Sequence, residues 1–347
     1  MLQWVGRSRR RPYRHSFLYS RYISYIIAHP SNMNHTVTGR FAPSPTGRMH
    51  LGNIYAALMA WLSARSQGGR FILRIEDIDP QRSRAEYARL IEDDLQWLGI
   101  DWDERYVQSD RYDIYERHLK RLQDMSLTYP CYCTRADILS TQAPHESDGR
   151  VVYRGTCRPE GIGSIPLPLS SPSLPVSSSC GRKPSTRLFV PDRDVTFCDG
   201  TYGIRTVNLA RHCGDFILRR ADGAWAYQLA VVVDDAMMGV TEVVRGRDLL
   251  LSVPQQMYLL SLFGYPSPVF RHIPLLCNTS GQRLSKRDKS LDMSVLRRRY
   301  TPEELLGVLA HIIGITADAS PLSARDLLSR FSWQALDLNA DKIVHDI

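Results

Sequence analysis

The 347-residue sequence lacks internal repeats, and it lacks any apolar run near the roughly 18 residues that a membrane-spanning helix needs. It is 43% hydrophobic and 23% charged, an ordinary composition for a folded chain. Together these features exclude the fibrous, disordered and membrane-spanning classes of protein. At roughly 100 to 200 residues per domain, the length predicts two domains or one large α/β unit.

Acidic residues are also missing from positions 1–35, a stretch that contains six arginines. Because these arginines supply six charges of the net +8, only +2 remains for the rest of the chain, and the overall charge is a weak argument for nucleic-acid binding. Such a composition is typical of a transit peptide or a disordered basic arm. Met33, just before the first strand pattern, equally allows residues 1–32 to be an over-called upstream start. We therefore predict that residues 1–35 are a basic leader outside the fold.

Cysteine occurs seven times, an odd number, in a chain large enough to fold without disulfides. This argues against a secreted disulfide framework and for a reducing compartment. Cys131 and Cys133 are separated by one residue and Cys157 follows, a spacing that can hold Zn²⁺ in tetrahedral coordination. By chemistry alone, His145 or water could supply the fourth ligand, and three reduced thiols without a metal are the alternative.

Strand and helix patterns alternate along the chain. Residues 37–42, 71–75 and 272–276 are predicted strands, and residues 54–66 have helical periodicity. Strands that alternate with helices predict an α/β fold with a parallel sheet. We expect a first half of the main domain, an insertion whose Ser/Pro-rich part at 161–186 is flexible, a second half, and a helical C-terminal segment, at residues 36–128, 129–190, 191–300 and 301–347.

Two motifs carry candidate chemistry. Residues 40–53, RFAPSPTGRMHLGN, lead from a strand through a proline-rich turn into a helix start, where backbone N–H groups and the helix dipole favour phosphate. There Gly52 permits close approach of a ligand, and His50 can donate to phosphate oxygens. Residues 283–287, RLSKR, form a polar loop in which Lys286 could neutralise the charge of departing pyrophosphate.

Together the two motifs resemble the signature motifs of class I aminoacyl-tRNA synthetases. The string HLGN at 50–53 stands in place of the usual His-Ile-Gly-His, and RLSKR at 283–287 stands in place of Lys-Met-Ser-Lys-Ser. Residues 40–47, 74–80 and 244–248 are similar to the glutamyl branch of this class. The resemblance implies a Rossmann-like class I catalytic domain.

This resemblance, which covers about residues 38–300, also implies the site residues. Those implied for ATP binding and catalysis are His50, Gly52, Asn53 and Lys286. Those implied for L-glutamate are Arg40, Phe41, Ala42, Pro43, Ser44, Glu76, Tyr227 and Arg245. The residue types suit the substrate, since glutamate needs cations for two carboxylates and an acid for its ammonium group. The acidic residues expected to be only structural are Asp77, Asp79, Asp234 and Asp235.

The cysteine spacing resembles the zinc site of glutamyl-queuosine tRNA(Asp) synthetases, shortened relatives in which a tyrosine completes the ligand set. This implies one structural Zn²⁺ in the insertion, held by Cys131, Cys133, Tyr153 and Cys157. About sixty residues follow Lys286, too few for a separate anticodon-binding domain once the catalytic body is complete. Both features favour the shortened family.

The expected function is therefore ATP- and Mg²⁺-dependent activation of L-glutamate to glutamyl-adenylate, followed by transfer of the glutamate to queuosine at the wobble position of tRNA(Asp). The resemblance further implies a cytoplasmic monomer. The alternatives are a glutamyl-tRNA synthetase that charges a tRNA 3′ end and a catalytically silent paralogue that binds tRNA. Asn53 and Arg283 depart from the family pattern, yet Asn53 still donates hydrogen bonds and Arg283 keeps its charge. A silent paralogue should have lost His50 or Lys286, and neither is lost.

Overall fold

The computed structural model describes residues 36–140, 152–162, 181–284 and 291–344, so the predicted leader lies outside it. The strands are β1 (Thr38–Phe41), β2 (Arg70–Ile75), β3 (Glu104–Val107), β4 (Thr128–Cys131), β5 (Ser185–Leu188), β6 (Asp194–Asp199), β7 (Gly203–Asn208), β8 (Phe216–Arg219), β9 (Glu242–Gly246), β10 (Val269–Ile273), β11 (Leu276–Cys277) and β12 (Lys342–Ile343). The α-helices are α1 (Leu51–Ser66), α2 (Ala85–Trp97), α3 (Tyr112–Asp124), α4 (Arg135–Ser140), α5 (Leu209–His212), α6 (Tyr227–Met237), α7 (Val253–Phe263), α8 (Met293–Arg299), α9 (Pro302–Ile313) and α10 (Ala324–Arg330). None of the described helices is both long enough and apolar enough to cross a membrane.

A mostly parallel sheet forms the centre of the molecule. β1, β2 and β3 pair in parallel, as do β6, β10 and β9, while β7 pairs antiparallel with β6. The two groups meet where Thr241 N donates to Thr38 O at 2.9 Å and Thr38 N donates to Thr241 Oγ1 at 2.9 Å. β1 therefore lies beside β9. Both strands end at the carboxyl edge of the sheet, where such sheets usually bind ligands. The predicted α/β fold with a parallel sheet is confirmed.

Helix α1 is apolar on almost every side, and other parts of the protein cover it on two sides. One side packs against β1 and β9, and α10 packs against another side. Leu51 and Leu58 of α1 are fully buried, and they belong to the same core as Leu305 of α9 and Leu327 of α10. The residues after 300 thus complete the core around the helix that begins at the first signature motif.

The structure corrects the strand predicted at 272–276. Pro274 has no backbone N–H to donate, so β10 ends at Ile273 and β11 begins at Leu276. β11 pairs in parallel with β12, which comes after the last helices. The segment predicted as helical at 301–347 therefore contains a strand as well as α9 and α10.

A second, antiparallel sheet consists of β4, β5 and β8. The first two strands come from the region of the insertion predicted at 129–190, whereas β8 comes from residues beyond it. The chain leaves this sheet to form the β6–β7 hairpin of the main sheet and then returns. Leu188 of β5 and Leu218 of β8 share a core with Leu229 of α6, so the small sheet is packed directly against the main body.

Asp94 in α2 is a fully buried carboxylate that ties three segments together. Its Oδ1 accepts hydrogen bonds from Arg48 Nη2 at 2.7 Å, just before α1, and from Arg297 Nη1 at 2.9 Å, in α8. A buried charge without partners is costly, so this carboxylate depends on both arginines. These bonds hold α8, which follows the second signature motif, against the start of α1.

We expect Asp94→Ala to lower the free energy of unfolding by about 3 kcal/mol, because it leaves two arginines without their buried partner. This value is at the low end of the usual cost of breaking a buried ion pair, because the side chains of Arg48 and Arg297 are 20% and 25% exposed. The matched control is Asp93→Ala, since Asp93 also pairs with Arg297 but is 57% exposed, and its loss should cost less than about 1 kcal/mol. Urea unfolding measures both values, and equal losses would contradict the role given to Asp94.

Candidate active site

A cleft of about 350 Å³ opens at the carboxyl ends of β1, β2 and β9. Its walls are the turn after β1, the start of α1, the start of α6 and the segments after β9 and β10. The structure brings every described residue of the predicted ATP and glutamate sites to this cleft, namely Arg40, Phe41, Ala42, Pro43, Ser44, His50, Gly52, Asn53, Glu76, Tyr227 and Arg245. Lys286, the remaining predicted site residue, lies outside the described residues.

A reciprocal capping box builds the start of α1. His50 Nδ1 accepts a hydrogen bond from Gly52 N at 3.1 Å, and Asn53 Oδ1 accepts one from His50 N at 3.0 Å. With Nδ1 as an acceptor, the neutral His50 ring carries its proton on Nε2, which is therefore the ring donor. A Cβ at Gly52 would lie 3.0 Å from His50 Cε1, so any larger residue at this position would crowd the ring. An anion at this helix end meets a ring N–H donor and the positive end of the helix dipole.

The segments on both sides of residues 285–290 lie at the same helix start. Arg283, just before them, lines the cleft. Asp292, just after them, forms an antiparallel bridge with His50. The described residues on either side of 285–290 therefore lie beside the first signature motif.

Two buried arginines reach the cleft from β1 and β9. Arg40 Nη1 donates to Val244 O at 3.1 Å. Arg245 donates from Nε to His272 Nε2 at 3.0 Å and from Nη2 to Leu249 O at 3.2 Å. Its buried Nη1 has no hydrogen-bond partner among the residues that the structure describes. A buried donor of this kind needs an acceptor, and two guanidinium groups suit a ligand with two carboxylates.

Arg74 is the centre of a buried ion cluster below these arginines. Its side chain is fully buried, Nη1 donates to Asp235 Oδ1 at 2.7 Å, and Nη2 donates to Glu76 Oε1 at 3.1 Å. Asp235 Oδ1 also lies 3.5 Å from Arg40 Nε, so this carboxylate, predicted to be only structural, also orients a cleft residue. Arg74 was not predicted as a site residue, although a charged residue within the apolar run 71–75 was the available signal.

The other three acidic residues predicted to be structural have partners within the fold. Asp234 is fully buried and accepts hydrogen bonds from Gln108, Arg111 and Tyr115. Asp77 and Asp79 each accept a hydrogen bond from a backbone N–H group in the loops after β3 and β2. None of the three lines the 350 Å³ cleft.

Burial and charge act differently on the groups around Arg74. Burial raises the pKa of Glu76, because the attraction of Arg74 offsets only part of the cost of a buried charge. Burial also opposes ionisation of Asp235, but the nearby charges of Arg74 and Arg40 outweigh it and lower the pKa of this carboxyl. Burial raises the pKa of Tyr227, so its phenol remains protonated and can donate to a carboxylate. The cleft thus offers cations, an acid and a neutral donor.

The three predicted metal-binding cysteines meet at the end of β4. Their sulfur atoms lie within 4.8 Å of one another, and the Sγ atoms of Cys133 and Cys157 are 3.5 Å apart. Tyr153 Oη lies 3.5 Å from Cys131 Sγ and 4.0 Å from Cys133 Sγ. This cluster could hold a metal ion. His145, the other ligand considered, lies outside the described residues.

Comparisons with known proteins place the cleft in a family context. The family model of class I tRNA synthetases (E and Q), catalytic domain, matches residues 36–336. A Glutamyl-Q tRNA(Asp) synthetase of Nitratidesulfovibrio vulgaris is 44% identical over 311 residues, which cover 86% of this chain and 93% of that relative. A Glutamyl-Q tRNA(Asp) synthetase of Deinococcus radiodurans is 44% identical over 303 residues, which cover 84% and 95%. A glutamate tRNA ligase of Elizabethkingia meningosepticum, solved with its amino acid, has a TM-score of 0.72 at 27% identity and covers 89% of this chain and 67% of that one.

We expect Asp235→Asn to destabilise the protein by about 2 kcal/mol at pH 7, because the cluster then holds an uncompensated buried cation. The pKa of Asp235 is lowered in the folded state, so its contribution to stability is present above the ordinary aspartate pKa and is lost as the pH falls through the lowered value. The difference between wild type and variant should therefore shrink on acidification. Urea unfolding in steps from pH 7 to the lowest pH at which the wild type stays folded measures it, and a difference that grows toward acid would refute the assignment.

Proposed function

We propose a function from the premise that the chain belongs to the class I tRNA synthetases and, within them, to the glutamyl-Q tRNA(Asp) synthetase family. In this proposal the protein activates L-glutamate with ATP and Mg²⁺. It then transfers the glutamate to queuosine at the wobble position of tRNA(Asp). The family predicted from the sequence motifs is confirmed by these matches. The chain is accordingly an enzyme of the aminoacyl-tRNA synthetase type.

The observation that carries the proposal is the buried Nη1 atom of Arg245. In the described part of the protein, no group accepts a hydrogen bond from it. A glutamate carboxylate would supply the missing acceptor and the opposite charge. Arg40, one strand away, is available for the second carboxylate, and Glu76 supplies a negative charge for the ammonium group. Tyr227 lines the same space as a protonated donor.

The activation step needs alignment and charge stabilisation more than proton transfer. A glutamate carboxylate oxygen attacks the α-phosphorus of ATP, the bond from phosphorus to the bridging oxygen breaks, and pyrophosphate leaves. His50 Nε2 and the start of α1 would bind phosphate oxygens there, with Asn53 holding the helix start in place. Lys286 would neutralise the departing pyrophosphate, and Mg²⁺ would accompany ATP.

The transfer step needs room beside the amino-acid site. A second hollow of about 490 Å³ adjoins the cleft and shares its wall residues Ser44, Glu76 and Tyr227. We propose that the queuosine nucleotide enters from this side, where Arg82 and Arg220 line the hollow and can contact phosphates. The oxygen of a queuosine ring hydroxyl would then attack the carbonyl carbon of the adenylate. The bond between that carbon and the phosphate oxygen would break, and AMP would leave with this oxygen while the hydroxyl proton passes to AMP or to solvent.

We further propose that Cys131, Cys133, Cys157 and Tyr153 hold one structural Zn²⁺. Zn–S bonds of about 2.3 Å and Zn–O bonds of about 2.0 Å in a tetrahedron separate the ligand atoms by about 3.5 to 3.8 Å. Three separations among these atoms, from 3.5 to 4.0 Å, are close to this geometry, and the three sulfur atoms lie within 4.8 Å of one another. Three thiolates on Zn²⁺ leave one negative charge, and the Arg187 guanidinium, 3.8 Å from the centre of the Tyr153 ring, can offset it.

The function is tested by ATP–pyrophosphate exchange with each amino acid in the absence of tRNA, followed by transfer of labelled glutamate to three acceptors. We expect exchange with L-glutamate only, and label on tRNA(Asp) that carries queuosine but not on tRNA(Asp) that lacks it or on tRNA(Glu). Label on tRNA(Glu) instead would establish the charging synthetase. Absence of exchange together with tRNA binding would establish the silent paralogue.

In the same assay Glu76→Gln should separate the two substrates. Glutamine keeps an oxygen that can accept from Arg74 but loses the charge that binds the ammonium group, so the KM for glutamate should rise roughly tenfold or more while the KM for ATP stays within about twofold. Glu116→Gln, at an acid that is 55% exposed and outside the cleft, is the matched control and should change neither. Equal effects of the two substitutions would exclude Glu76 from the amino-acid site.

The zinc site is tested by the metal content of the purified protein. We expect one zinc per chain in the wild type and a loss of most of it, with a lower Tm, in Cys157→Ser, because three remaining ligands bind Zn²⁺ more weakly. Cys198→Ser, at an exposed cysteine outside the cluster, should keep one zinc. A wild-type protein that folds and refolds without bound metal would show instead three reduced thiols.

A further inference from the structure

Three neighbouring strands of the main sheet bring Asp199, His272 and Arg245 into one buried line. Asp199 is the last residue of β6, and His272 of β10 lies directly opposite Arg245 of β9 in the parallel register. Asp199 Oδ2 and His272 Nδ1 are 2.5 Å apart, and His272 Nε2 and Arg245 Nε are 3.0 Å apart. All three side chains are at most 5% exposed.

The direction of each hydrogen bond in this line follows from the arginine. A guanidinium only donates, so His272 Nε2 must be an acceptor without a proton. The single proton of the neutral ring is then on Nδ1 and is donated to Asp199. Burial, helped by the positive charges of Arg245 and Arg40, lowers the pKa of His272 despite the neighbouring Asp199, in agreement with a neutral ring at pH 7.

Asp199 has no rotational freedom with which to change this arrangement. Its Oδ1 accepts from Thr201 N and Tyr202 N, both at 3.0 Å, in the turn between β6 and β7. Its Oδ2 is thereby aimed at His272. The turn therefore fixes the carboxylate, the carboxylate fixes the tautomer of the histidine, and the histidine accepts from one particular edge of the guanidinium.

We infer that Asp199 and His272 are positioning residues for substrate binding, which hold the Arg245 guanidinium in a fixed orientation at the cleft wall. With Nε bonded to His272 and Nη2 bonded to Leu249 O, Nη1 is the nitrogen left for a ligand. The inference rests on the proposed function, because it takes a glutamate carboxylate as that ligand.

Filling space alone would not require a hydrogen-bond acceptor at position 272. The His272 ring is stacked at 6.4 Å on Phe270, and Arg245 lies 5.4 Å over the same ring, so an aromatic residue at position 272 would fill the space. Such a ring would leave the Asp199 carboxylate and Arg245 Nε without their partner, so His272→Phe also costs stability and the positioning role is read from the KM for glutamate. What an apolar ring cannot do is accept a hydrogen bond from Arg245 Nε.

The test compares His272→Phe with His272→Gln in ATP–pyrophosphate exchange. Phenylalanine removes the acceptor, so we expect the KM for glutamate to rise about tenfold while kcat and the KM for ATP stay within about twofold. Glutamine can place a carbonyl oxygen near the position of Nε2, so it should restore the KM for glutamate to within about threefold of wild type. His118→Gln, at a buried histidine that bonds Tyr265 away from the cleft, is the matched control and should leave all constants unchanged.

A second variant keeps the inference testable if His272→Phe does not fold. Asp199→Asn preserves shape but allows an amide to donate to His272 Nδ1, which moves the ring proton to Nε2 and sets two donors against each other. The KM for glutamate should again rise alone. If folded Asp199→Asn and His272→Phe show the same exchange activity and the same KM for glutamate as the wild type, only the positioning role is overturned. If the wild-type protein shows no glutamate-dependent exchange, the proposed function itself is overturned.

Discussion

The fully buried guanidinium of Arg74 is the constraint on which the cleft depends. An arginine cannot shed its charge, so the interior must supply carboxylates, and Glu76 and Asp235 do so. Asp235 in turn lies beside Arg40, which places a second cation at the cleft wall. The charges of the site therefore originate in a rigid ion cluster under the sheet edge and not in flexible surface side chains. A ligand meets groups already held in place, which reduces the ordering cost of binding.

Sheet topology converts this cluster into a binding site. Because β1, β2 and β9 run in parallel, the residues at their carboxyl ends, Arg40, Glu76 and Arg245, reach one edge. The junction between Thr38 and Thr241 brings β1 and β9 together although they are about two hundred residues apart in sequence. The fold thus performs the long-range part of site assembly, and the local capping box at α1 performs the rest.

How much the sequence could predict depended on whether a signal was local. The strand, turn and helix at residues 38–66 were predictable because the periodicity and the proline-rich turn lie in one stretch, and the family motifs led to the residues that line the cleft. The β6–β7 hairpin was not predicted, although β6 alternates exposed and buried residues along its whole length; only β7, whose first four residues are exposed, has a weak pattern. The link from Asp199 to His272 spans 73 positions, and no single-sequence pattern joins residues so distant. Pro274, by contrast, carried a local signal for a strand end that should have shortened the predicted strand.

The capping box also explains why asparagine is compatible with position 53. The helix start needs an oxygen there to accept from His50 N, and Asn53 supplies it, which leaves the ring of His50 directed by Gly52. A neutral amide adds no charge, so under the proposed function a full positive charge for phosphate would come from the other motif. Arg283 is suited to this, because its ion pair with Asp248 is largely solvent-exposed, with 58% of the arginine side chain accessible. Exposed pairs contribute little free energy, so Arg283 can exchange this partner for a phosphate at small cost.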